Sequence, residues 1–335
     1  MTRKIISLIL IVCFLALAVF AFVFYRQFNS PPDRTVEQVL FTVEKGDSFR
    51  TTASNLKNSG IIQWTWPLHL GYRIFFRNKT LKAGEYALDL PMSYRQILIQ
   101  LTEGQINLRP LTIPEGLTRR ETATHFKKIL FTEEADFLEA SRNIHLISDL
   151  DSKAENLEGF LFPETYLIPK KITVAQIIEV MVEQFRQVFT PEWHQRAEEL
   201  GKSVREIVTL ASLIEKETSL PEERVLVSAV FHNRLNMRMK LDCDPTIIYA
   251  LKENGEFTGN LRKRHLAMDS PYNTYIYGGL PPGPIANPGK ESLRAALYPA
   301  DVDYLYFVSK NDGSHHFSVN FREHQNAVNL YQRRR

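Results

Sequence analysis

Residues Ser203–Thr218 read SVREIVTLASLIEKET. Val204, Ile207, Val208, Leu210, Ala211, Leu213 and Ile214 recur at helical spacing, and Ser203 before them is a natural N-cap. The stretch therefore predicts a helix that ends at Glu217, with an apolar stripe wide enough to be buried among other elements. Outward from it, Val174 to Phe189 is a second amphipathic helix. Pro221 sits in the first turn of a third helix, which ends near Met237. Leu108 to Ile113, Tyr304 to Ser309 and His316 to Val319 have strand texture, and Arg322 to Arg333 reads as a final helix. Thr118 and Thr132 each look like helix caps. Residues 107–335 thus form the larger, mixed helical and strand domain of an α+β chain.

Toward the N-terminus, Ile5 to Phe24 reads IISLILIVCFLALAVFAFVF, with Ser7 its only polar residue. At 1.5 Å per residue it reaches about 30 Å, one hydrocarbon thickness. It outlasts the apolar core of a cleaved signal, so residues 5–25 are expected to be an uncleaved membrane-spanning helix. Arg3 and Lys4 favour a cytoplasmic tail, residues 1–4, with the body outside the cytoplasm. Residues 26–37 read as an extended linker around Pro31-Pro32. Residues 38–106 form a small βα subdomain. In it Gln38–Glu44 is a strand, Phe49–Asn58 a helix capped by Asp47 or Ser48 and stopped by Gly60, Leu81–Leu88 a strand, and Ser93–Leu101 a helix with Gly104 beyond. Val43, Gly46-Asp47-Ser48-Phe49 and Ala53 resemble the opening of a LysM module, a small peptidoglycan-binding fold.

Composition excludes several classes. A net charge of +3 over 335 residues is not the concentrated basic face of a nucleic-acid binder. The run Arg333-Arg334-Arg335 reads as a solvated tail. Two cysteines, Cys13 in the apolar run and Cys243 far downstream, predict no disulfide. The nine histidines are scattered, and adjacent His315 and His316 on a strand face opposite ways, so no metal is expected. There is no nucleophile elbow, P-loop or zinc helix. Carboxylates remain, together with a loop rich in Tyr, Asn, Thr, Gly and Pro over residues 272–289. That mixture suits a carbohydrate: rings stack on sugar faces, amides and hydroxyls bind sugar hydroxyls, and a carboxyl moves protons. Glu215 and Glu217 lie about 160° apart on their helix, on opposite flanks of the stripe. Spacing leaves both open. Position beside the Ser219-Leu220-Pro221 turn leans toward Glu217, whose carboxyl would be desolvated at a cleft edge.

Five motifs carry a wider resemblance: Glu158–Tyr166 (EGFLFPETY), Ala211–Thr218 (ASLIEKET), Asp244-Pro245-Thr246, Tyr272-Asn273-Thr274-Tyr275 and Gly279–Gly283 (GLPPG). Tyr304–Val308, His316 and His324 extend it. In this order they resemble the endolytic murein transglycosylases (MltG-type, YceG-like), over nearly the whole chain past the anchor. Glu164, where Asp is also usual, and Cys243 depart mildly from the pattern. The resemblance implies that Glu217, followed by Thr218, is the catalytic acid. It implies a lyase that needs no cofactor or metal, cuts the MurNAc–GlcNAc bond of nascent glycan strands to 1,6-anhydro ends, and so ends their elongation. A hydrolytic muramidase and a non-catalytic wall-binding division scaffold are the rival classes. Asp244, Tyr272, Asn273, Thr274, Tyr275 and Glu164 are the candidate substrate contacts. The implied partners are glycan strands, the inner membrane and peptidoglycan synthases, with no nucleic acid.

Overall fold

The computed structural model describes residues 2–33, 35, 37–130 and 132–333. Met1, Arg34 and Val36 of the linker, Arg334 and Arg335 of the basic run, and the side chains of Arg3 and Lys4 lie outside the described residues. The chain divides into two units, Met1–Leu111 with Leu167–Ile172, and Thr112–Tyr166 with Thr173–Arg335.

The first unit contains α1 (Thr2–Asn29), β1 (Glu37–Val43), α2 (Phe49–Asn58), α3 (Thr65–Phe75), β2 (Gly84–Leu90) and α4 (Tyr94–Glu103). Strands β1 and β2 pair antiparallel, from Glu37 opposite Leu90 to Val43 opposite Gly84. Ser48 caps α2 by accepting from the Thr51 N–H, and Ser93 forms a capping box with Gln96 at α4. Leu56, Leu68, Tyr86, Leu88, Ile97, Leu98 and Leu101 fill the core.

One expectation needs correction here. Residues 26–29 are helical rather than linker, because Phe24 and Phe28 of α1 are buried in this same core. The burial of those two rings holds the last turns helical until Pro31-Pro32. Helix α3 also goes beyond the sequence expectation; its Gly71 stands so close to Phe28 that a Cβ would come 2.0 Å from the ring.

Strands β3 (Leu108–Thr112) and β4 (Thr165–Pro169) pair with each other. The second unit holds α5 (Arg119–Leu130), α6 (Glu134–Ala140), α7 (Val174–Val188), α8 (Pro191–Glu199), α9 (Val204–Glu217), α10 (Arg224–Asn236), α11 (Asp244–Glu253), α12 (Lys290–Leu297), β5 (Tyr306–Ser309), β6 (His315–Ser318) and α13 (Phe321–Tyr331). Helix α9 is its axis and packs against α8, α10, α11 and α12. Ser203 and Glu206 form the capping box at its start, and every residue from Ile207 to Ile214 is buried. Each large aliphatic side chain among them contributes about 2 kcal/mol by leaving water. Thr118 caps α5 as expected, exchanging hydrogen bonds with Glu121. Thr132 does not cap α6: Glu133 precedes that helix, and the Thr132 hydroxyl has no hydrogen-bond partner among the described residues.

Gly159 shows how tightly this unit closes. Its φ is +86°, and a Cβ would lie 2.5 Å from Pro284 Cγ and 2.8 Å from Val208 Cγ1. Left-handed strain and overlap with a ring that cannot retreat act together. Gly159→Ala is expected to lower stability by about 2–4 kcal/mol, read as a lower denaturant midpoint.

Candidate active site

Glu215 and Glu217 leave α9 in different directions and meet different partners. The Glu215 side chain is 8% exposed and lies 3.7 Å from the Arg224 guanidinium. Its Oε2 accepts from the Gly289 N–H at 3.0 Å. It ties the end of α9 to the entry of α12. The next residue, Lys216, donates to the Gly116 carbonyl at 3.1 Å. Both are anchoring contacts.

Glu217 is the last residue of α9, because Thr218 turns extended (φ −138°, ψ 138°). Its carboxyl has no cationic partner in contact with it among the described residues. Burial dominates its protonation and pushes the carboxyl up to about 7. A hydrogen bond from the Cys243 thiol opposes that rise, the charge of Asp244 adds to it, and His315 and Arg234 oppose it. A carboxyl so placed exists in both protonation states near neutrality, which is what alternating acid and base work requires.

The surroundings are built from three distant segments. Cys243 is 1% exposed, and its backbone N–H donates to the Thr274 hydroxyl at 3.0 Å. The Thr274 hydroxyl in turn pairs with that of Thr246 at 3.0 Å. Asp244 is exposed and accepts from the half-buried Tyr275 hydroxyl at 2.6 Å. From the β-hairpin, His315 brings Nδ1 to 2.6 Å and its backbone N–H to 2.7 Å from the Glu223 carboxylate. The Thr218 hydroxyl donates to Glu223 as well, at 3.2 Å. Burial works against ionisation of Glu223, yet these hydrogen bonds hold its carboxyl below the usual range. Arg234 reaches Asp242 at 3.1 Å while lying over the Tyr306 ring.

The expected contact residues separate into four groups. Tyr275 and Asp244 lie with Glu217. Asn273 and Thr274 do not offer their polar groups outward: they are 0% and 2% exposed. The Asn273 amide donates to the Leu266 and Met268 carbonyls, and its Oδ1 accepts from the Tyr275 N–H. These two side chains shape the loop that carries Tyr275. Tyr272 faces a separate cavity of about 220 Å³ with Asp151, Glu158, Arg205 and Tyr249. There burial pushes the Glu158 carboxyl up to about 8, while both its oxygens accept from the Arg119 N–H at the start of α5. Glu164 is exposed, bonded to the N–H of Thr165, and is among the charges that raise the Glu115 carboxyl behind burial and Glu215.

His315, Glu223 and Arg234 were missed from sequence. The alternation argument at His315 and His316 was the available signal: one ring meets Glu223, the other lies against Tyr331. No group of three or more His, Cys, Asp or Glu side chains could hold a metal ion among the described residues.

A family model described as the YceG-like family matches residues 41–330. The endolytic murein transglycosylase of Bacillus subtilis (strain 168) is 30% identical over 329 residues, covering 93% of this chain and 90% of that protein. The protein of the same name from Streptococcus pneumoniae serotype 2 (strain D39) is 30% identical over 318 residues. That match covers 85% of this chain and 57% of the longer pneumococcal protein. A 2.6 Å crystal structure of a putative yceG-like protein from Listeria monocytogenes superposes with a TM-score of 0.59 at 31% identity, covering 87% of this chain and 98% of that one.

Proposed function

Because the chain belongs to the YceG-like family, we propose that it is an endolytic murein transglycosylase in which Glu217 is the one acid/base. The observation that carries the residue assignment is the contrast at the end of α9. Glu215 is held by Arg224 and Gly289, while Glu217 is desolvated to about 7.

The reaction runs in two proton transfers. Protonated Glu217 donates to the oxygen bridging N-acetylmuramic acid and N-acetylglucosamine, and the bond from that oxygen to muramic C1 breaks. Glu217, now a carboxylate, accepts the proton of the C6 hydroxyl as O6 bonds to C1. The 1,6-anhydro ring closes, the acid is restored, and no water enters the product. A glycosidase ordinarily needs a second carboxylate to activate water or attack the sugar; here the sugar's own hydroxyl takes that part. Exposed Asp244 and half-buried Tyr275 contact the glycan beside Glu217, with Tyr272 farther along the loop.

Helix α1 is long and apolar enough to cross a membrane. It anchors the protein in the inner membrane, N-terminus inside, so that the second unit meets strands as synthases extend them and ends their growth. The β1–α2–α3–β2 order with antiparallel strands supports the LysM-like reading of the first unit.

Digestion of purified glycan strands, with products resolved by mass, tests the chemistry. Anhydromuramyl ends are expected. Reducing ends would make the protein a muramidase, and intact strands would make it a wall-binding scaffold.

Cys243 offers a finer test. Its thiol favours the ionised form of Glu217 by hydrogen bonding to it. Cys243→Ala removes that help, so the Glu217 pKa rises and the alkaline limb of the pH–rate profile moves to higher pH. Cys243→Ser, which keeps a donor, is expected to restore the limb.

A further inference from the structure

Helix α3 runs beside the last turns of α1, and in the same direction. Its Trp66 ring lies 5.7 Å from Phe20 and 6.2 Å from Phe24, and Phe75 lies 5.5 Å from Phe28. Phe20 is four residues inside the apolar run that ends at Phe24, about 6 Å along the helix axis. If α1 spans a bilayer, Trp66 cannot stand clear of it.

The side chains around that contact suit this depth. Trp64, Ile74 and Phe75 are 49%, 54% and 60% exposed, although their unit has a well-filled core. Tyr25 is 67% exposed at the same end of α1. Tryptophan and tyrosine collect where hydrocarbon meets headgroups, because each ring is apolar and carries one polar atom. Arg26, Arg73 and Arg77 are exposed on the flanking segments and are placed for lipid phosphates. A cavity of about 280 Å³ opens here, lined by Arg26, Gln27, Pro32, Ile62, Trp64 and Tyr94. Gln27 Oε1 is buried in this region with no hydrogen-bond partner among the described residues, an acceptor left for a headgroup donor.

We propose that α3 is an interfacial element: it seats the first unit in the lipid leaflet from which α1 emerges, with Trp64 and Trp66 among the acyl-chain ends nearest the headgroups and Ile74 and Phe75, beside Phe28 about 6 Å beyond the apolar run, at headgroup level. The occupant of this apolar face is lipid because the face is continuous with the spanning helix. The inference rests on α1 crossing the membrane.

The chain has three tryptophans. The full-length protein carrying Trp66→Phe and Trp193→Phe keeps only Trp64; the pair Trp64→Phe and Trp193→Phe keeps only Trp66. Each is reconstituted in nanodiscs of phosphatidylcholine brominated near the carbonyl end of its acyl chains, and in unbrominated discs. About a twofold loss of emission in the brominated discs is expected from each single tryptophan, because a ring at the headgroup boundary meets the bromine placed there. Equal emission in both kinds of disc, from protein that resists alkaline carbonate extraction, overturns the seat and leaves the span standing. Protein that carbonate strips from membranes overturns the span, and the seat with it.

Discussion

Glu217→Gln is expected to cut strand cleavage by about a hundred- to ten-thousand-fold, the range for losing a general acid–base group. The amide keeps the shape of the carboxyl and cannot pass a proton in either direction, so both steps fail. Glu215→Gln tests the alternative glutamate: it weakens the tie to Arg224 and Gly289 and should cost stability before it costs chemistry. The folded state of the Glu217 variant can be checked by a sign that mere damage would not produce. Burial raises the Glu217 carboxyl from 4.5 to about 7. Between those values the folded protein binds the proton that the unfolded chain has released, so this group's contribution to stability is present below pH 4.5 and lost as pH rises through 7. Glutamine has nothing to titrate there. Relative to wild type, the inactive variant should therefore gain thermal stability as pH rises through that window. In the wild type, the protonated acid is depleted above about 7, and cleavage should decline there.

The largest loss of stability is expected at Asn287, which is 2% exposed. Its Oδ1 accepts from the N–H groups of Gly159 and Leu161, at 2.9 and 3.0 Å. Its Nδ2 donates to the Leu117 carbonyl at 2.9 Å, and its backbone exchanges hydrogen bonds with Gly116 and Leu117. One side chain thus joins the turn before α5, the 158–161 segment and the Gly-Pro loop. Asn287→Ala leaves two buried N–H groups without partners, each costing about 1–3 kcal/mol, and takes from the Leu117 carbonyl one of its two donors, the backbone N–H of residue 287 remaining. We expect a total loss of about 3–5 kcal/mol, a large part of an ordinary domain's stability. Thermal melting should fall by about 10 °C. Asn287→Asp is not expected to rescue it, because the donor is lost and a second carboxyl is set beside Glu158, which already lies 3.4 Å from the amide.

Local signals in the sequence were enough where a helix carries its own start. Ser48, Ser93, Thr173 and Ser203 each cap a helix with the side-chain bond their residue type suggests. The rule is not complete: α10 was legible from its proline without a side-chain cap, and α8 went unread despite its Thr190 cap, as did α3 and α11. Neither α3 nor α11 has a side-chain cap, and each begins with a proline in or near its first turn. The extension of α1 past Phe24 depends on a core that only the folded unit assembles. The site divides in the same way. Carboxylates at the end of α9 were legible, but the choice between Glu215 and Glu217 was left open by spacing. What distinguishes them is partners lying far along the chain, at Cys243 for one and Gly289 for the other. Asn273 and Thr274 look like sugar ligands in a polar loop, and only burial reveals that their hydrogen bonds close inward.

The same burial makes Cys243 a clock for the cleft. A thiol that is 1% exposed meets a labelling reagent only when its surroundings open. The other cysteine, Cys13, lies in α1 and can be removed without touching the second unit. The rate at which Cys243 becomes modified then counts how often the junction of α9, α11 and the tyrosine loop breathes. Because the thiol adjoins the partly buried Glu217, each such opening also admits more water to that carboxyl.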